Sequence, residues 1–117
     1  MTDRELLELA AKAGGIDLLD WRDQWADYSG PAWRTTEREL WNPLTDDGDA
    51  LRLAIKLRMA VDVNVCFVDV AWCNYVLSEM YDLQEDWGDG DVGCEVKIAA
   101  TRRAIVRAAA EIGRAMP

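Results

Sequence analysis

Hydrophobic positions recur at helical spacing in three stretches of the chain and alternate with polar ones in a fourth. Leu6, Leu9, Ala10 and Ala13 fall on one helix face. Thr2-Asp3-Arg4-Glu5 ahead of them fits a capping box, and Gly14-Gly15 behind them accepts the left-handed conformation that ends helices. A helix is predicted over about residues 3–13. The second helix follows Trp41-Asn42-Pro43, where the proline forces Asn42 into an extended or turn conformation. Asp46 is a good N-cap, with Asp47 and Asp49 in the first turn at the positive end of the helix dipole. Ala50, Leu53, Ala54 and Leu57 form its buried stripe and leave Arg52, Lys56 and Arg58 exposed. A third helix opens at Ile98. Its stripe is Ile98, Thr101, Ile105, Ala108 and Ile112, with Arg102, Arg103, Arg107 and Arg114 off it.

The alternating stretch, Val61 to Phe67, predicts a strand with Val61, Val63, Val65 and Phe67 on the core face. Val68 to Met80 is β-prone and predicts a second strand antiparallel to the first, with the turn at Asp69 or at Cys73-Asn74. Two readings of residues 16–40 stay open. Leu18, Trp21, Trp25 and Tyr28 suit a helix face, and the same residues suit a strand followed by an irregular loop. Asp82 to Gly93 holds five acidic residues, three glycines and no basic residue, which predicts a mobile acidic loop. These elements make one α/β domain, with a small antiparallel sheet packed by three helices.

Length and composition narrow the function. A chain of 117 residues is one domain. Its 22 acidic and 13 basic residues give a formal charge of −9. That balance argues against binding a phosphate backbone or an anionic membrane, and favours basic partners. No apolar run is long enough to span a bilayer. An odd number of cysteines (Cys66, Cys73 and Cys94) and a charged N-terminus without an apolar core predict reduced thiols in a cytosol.

The chain has no histidine, which removes the commonest general base, the usual triads and most zinc sites. No enzyme activity, cofactor or metal is expected. Asp47-Gly48-Asp49 and Asp89-Gly90-Asp91 superficially suggest calcium. Counting from Asp89, the fifth loop position is Gly93 and the twelfth Ala100; from Asp47 the fifth is Leu51. Neither fits an EF-hand. The last helix carries four arginines and one glutamate, and a basic helix on an acidic body pairs with its own domain's carboxylates. The candidate binding residues are instead acidic and aromatic. They form two groups: Asp20, Trp21, Asp23, Trp25 and Asp27, and Glu85, Asp86, Trp87, Asp89 and Asp91. Aromatic anchors with a charged rim are the pattern of a protein interface.

Three segments carry a family resemblance: WNPLTDDGDALRLAIKL at 41–57, AATRRAIVRAAAEIG at 99–113, and ELLELAAKAGGI at 5–16. They resemble the phage ABA-sandwich domain, a family of small bacteriophage and prophage proteins. The resemblance implies a small α/β/α sandwich and carries no catalytic residue across. With the charge, it leads to the expectation of a phage accessory protein in the host bacterial cytoplasm that acts by protein–protein binding. The concrete form is an acidic inhibitor of a host defence system such as CRISPR-Cas. Its partner would be a basic host protein or nucleoprotein complex, a Cas protein among the candidates, without direct nucleic-acid or membrane contact. The alternative is a morphogenesis or virion-associated module, for which a homodimer is an open form.

Overall fold

Thr2 and Gly15 bracket the first helix. In a computed structural model that describes residues 1–26, 28, 30–74, 79–88 and 92–117, helix α1 spans Asp3–Gly14. The Thr2 hydroxyl accepts from the Glu5 amide at 3.2 Å, and Gly15 at φ 67° donates back to the Lys12 carbonyl. The buried line is Leu7, Ala10, Ala11 and Gly14, one residue on from the expected stripe, while Leu6, Leu9 and Ala13 are half-buried at its flanks. The shift follows from what α1 packs against. Helix α3 (Cys94–Ala115) crosses it so closely that a Cβ on Gly113 would lie 2.0 Å from the Leu9 carbonyl oxygen. Such a seam takes small residues and pushes the larger ones to its rims.

Residues 17–40 take the strand reading. β1 (Leu18–Arg22), β2 (Ala32–Thr35) and β3 (Leu40–Trp41) form an antiparallel sheet in that order. Register sets Trp21 opposite Trp33 and Trp33 opposite Trp41, so three indoles cross the sheet on one face. Trp21 and Trp33 meet edge to face at 5.7 Å.

Helix α2 (Asp47–Lys56) starts as expected, with the Asp46 carboxylate accepting from the Asp49 amide at 2.8 Å. Ala50, Leu53 and Ala54 are buried and Leu57 is half-buried. Behind it come β4 (Ala60–Val63), β5 (Phe67–Asn74) and β6 (Glu79–Asp86), a second antiparallel sheet in sequence order. The described residues therefore form an α/β fold with three helices and two small antiparallel sheets.

Three expectations fail in this second sheet. The strand expected over 61–67 ends at Val63, the chain reverses through Val65-Cys66, and the Asn64 amide closes the turn onto the Phe67 carbonyl at 2.7 Å. Val61 and Val63 lie opposite buried Val70 and Val68, on the inner face as expected, yet are 38% and 56% exposed because β4 is the edge strand; Val65, in the turn, is 85% exposed, and Phe67, opposite Asp86, is on the other face. Asp69 is in mid-strand, opposite Asp62 and Gln84, and does not turn the chain. The expected acidic loop is strand β6 as far as Asp86.

Helix α3 begins at Cys94, four residues before Ile98, on a Gly93 N-cap that offers no side-chain bond. Ile98 is exposed, and from Ala104 to Ala110 burial runs almost around the helix. The reason is position: α3 packs against α1, α2, β5 and β6 at once.

Candidate functional site

The two groups of candidate residues lie on different sheets and have different fates. Asp20 and Trp21 are on β1. The Asp20 carboxylate is shared by Arg34 at 2.9 Å and Arg22 at 3.3 Å. Those same guanidinium groups lie 5.8 and 4.7 Å from the Trp25 ring centre. The Trp21 indole N–H donates to Asp23, and that of Trp25 to the Ala32 carbonyl. This corner is thus largely neutralised from within. Asp27 lies outside the described residues.

In the second group, Glu85 faces inward from β6, opposite Val68, and takes Arg107 of α3 at 2.5 Å and Arg103 at 3.9 Å. Trp87 is half-buried, its indole donating to the Val65 carbonyl at 2.8 Å and its amide to Cys66 at 3.0 Å. Both hold the fold together. Asp86 points the other way and is exposed. Asp89 and Asp91 lie outside the described residues. No candidate tryptophan is exposed, and each described indole N–H of the group has an internal acceptor.

Register reveals a surface that the sequence reading did not assemble. Val68, Val70 and Trp72 of β5 are buried, so Phe67, Asp69, Ala71 and Cys73 take the outer face. Directly opposed residues share a face. Asp62 of β4, and Met80, Asp82, Gln84 and Asp86 of β6, therefore join them. Three aspartates, Asp69, Asp82 and Asp86, surround Gln84 there, and a fourth, Asp62, sits directly across from Asp69. Like charges in that position are destabilising. Oδ1 of Asp69 is shielded from solvent and meets no donor among the described residues. An unpaired buried oxygen of this kind costs about 1–3 kcal/mol, so this face carries a burden the fold alone does not require.

Charge counting gives the same address. Residues 59–96 contain nine carboxylates and no Lys or Arg, whereas the remaining 79 residues hold 13 of each sign. The whole formal charge of −9 thus belongs to the second sheet and its flanks. That run was the available signal, and counting by helix rather than by stretch hides it. The arginines of α3 are spent internally: Arg102 on Asp47 at 2.6 Å and on the Leu44 carbonyl, Arg103 and Arg107 on Glu85, Arg114 on Glu111.

Among the described residues no three metal-ligating side chains converge, and no helix is long and apolar enough to cross a membrane. Comparison with known protein families, with curated proteins and with solved structures gives no match to this chain.

Proposed function

We propose that this protein acts by binding, presenting the outer face of β4–β5–β6 to an Arg- and Lys-rich partner surface. The observation that carries the reading is the segregation of charge. The entire −9 resides in residues 59–96, and the sheet there turns Asp62, Asp69, Asp82 and Asp86 to one side. A face of this kind steers a basic partner and suits a groove built for nucleic acid. Together with the phage resemblance of residues 41–57, it supports an accessory protein that inhibits a host defence complex such as CRISPR-Cas.

The test has two arms. The protein is expressed in bacteria carrying each of a panel of active CRISPR-Cas systems, and phage plaquing is scored. The purified effector complex it inhibits is then titrated at rising salt. The reading expects restored plaquing and a complex that salt weakens. Asp62→Lys with Asp82→Lys and Asp86→Lys should slow association about tenfold or more, while Asp17→Lys with Glu37→Lys should not. Unaffected immunity across the panel, or association indifferent to those three reversals, counts against it.

A self-assembling module is the second reading, favoured by the bare edge of β4. Val61 and Val63 are exposed there, with Val65 in the turn that follows, and β4 lacks the lysine or proline that commonly protects an edge strand. Sedimentation of a concentration series, with Val63→Lys as the comparison, decides it; a species that stays monomeric throughout removes it.

A further inference from the structure

A groove of about 810 Å³ opens between the C-terminal ends of α2 and α3 and the paired strands β5 and β6. Its walls are mostly apolar: Leu57, Trp72, Tyr81, Leu83, Ile112 and Met116. Trp72 and Tyr81 stack at 5.8 Å with their planes 18° apart, which makes a flat aromatic wall. The size is that of a small-molecule site.

Its rim runs against the charge of the rest of the molecule. Lys56 and Arg58 both line it, and neither makes an ion pair among the described residues. The acids at the rim are Glu111, held by Arg114 at 2.9 Å, and Asp82, which the groove shares with the acidic face. The Lys56 ammonium lies toward Gly15, on a neighbouring groove, so among the described residues Arg58 is the unpaired cation of this one, and of its side-chain carboxylates Glu111 is already committed.

Arg58 also occupies an unusual backbone position. After α2 the Met59 amide donates to Ala54 at 2.9 Å and the Arg58 amide to Ile55 at 3.1 Å, which makes Arg58 the left-handed residue of a Schellman ending, at φ 53°. Glycine is the residue that takes this position without strain. An arginine there is costly to the fold, and the cost falls where its side chain lines the groove.

We propose that this groove binds a small amphipathic anion, its flat apolar body seated against Trp72 and Tyr81 and its carboxylate or sulfonate held by Arg58. The site meets the proposed binding face only at Asp82 and stands or falls without it.

Two fluorescent probes test it: 8-anilinonaphthalene-1-sulfonate, and N-phenyl-1-naphthylamine, which has the same aromatic body without the charge. The sulfonate should bind at one per chain and shift the amide resonances of Tyr81, Leu83 and Ile112. Arg58→Gly should weaken the sulfonate about five- to tenfold, move the neutral amine less than about twofold, and leave the melting temperature unchanged or higher. Arg58→Gln, which removes the charge and keeps the backbone position, should act in the same sense on the two probes and decides the matter if Arg58→Gly folds poorly. Absence of binding, equal losses for both probes, an unaffected sulfonate, or shifts centred elsewhere would each overturn the proposal.

Discussion

The Asp49 carboxylate accepts a hydrogen bond from the backbone N–H of Asn42, seven residues upstream, at 3.0 Å. Asp49 is 8% exposed and also takes the Arg52 guanidinium at 2.7 Å, while its own amide donates to Asp46. Asn42 in turn donates to the Pro31 carbonyl at 2.7 Å and accepts from the Leu44 amide at 3.0 Å. These bonds lock strand β3 to helix α2 and account for the residue choices from Trp41 to Asp49. Asp49→Ala strands a buried amide and should cost about 2–3 kcal/mol in urea unfolding. Asp46→Ala removes only a cap and should cost about 1 kcal/mol. If the two prove equal, the Asn42 amide is finding another acceptor.

Gly113 is the point of closest approach between α3 and α1. A methyl group there meets backbone rather than a movable side chain. Gly113→Ala should therefore destabilise at or above the upper end of about 1–3 kcal/mol, although alanine is the better helix former. A mild effect on thermal unfolding would mean that the helices can slide apart.

Adjacent carboxylates on β6 should behave oppositely. Glu85→Ala leaves Arg107 without its partner beneath the sheet and should cost about 1–2 kcal/mol. Asp86→Ala relieves crowding on the acidic face and should change stability by less than about 0.5 kcal/mol. Chemical denaturation of the two variants, measured side by side, checks the assignment of faces.

The Tyr81 hydroxyl donates to Glu79, and that bond, with some desolvation, holds its pKa above the ordinary 10.0. The folded form keeps this proton to higher pH than the unfolded chain. The associated stability is complete below the ordinary value and is lost as pH rises through the folded one. Carbon-13 NMR of Tyr81 should show a midpoint above that of a free tyrosine, and Glu79→Gln should bring it down. A midpoint indifferent to Glu79→Gln would break the link.

Helices were legible where caps and periods agreed. Thr2 and Gly15 closed α1, and Asp46 opened α2. The start of α3 was not, since Gly93 gives no cap bond and the first turn, Cys94 to Val96, is exposed. The strands were harder for identifiable reasons. Alternation continues through the Val65-Cys66 turn because a distant residue holds that turn: Trp87 donates to both its carbonyls. Along β6, Tyr81 and Leu83 keep the inward rhythm and Glu85 breaks it, an acid satisfied by Arg107 and Arg103 from another element. Site residues suffered likewise. Trp21, Trp25 and Trp87 read as anchors for a partner and turn out to serve the chain's own carbonyls and carboxylates, while Asp62, Asp69 and Asp82 come together only through strand register.

A body of near-zero charge joined to one heavily anionic sheet has a large electric moment. In the field of a cationic surface such a particle feels torque as well as attraction, and it rotates before it touches. Encounter is then oriented at long range, and moderate salt should abolish that alignment before it dissolves any contact already made.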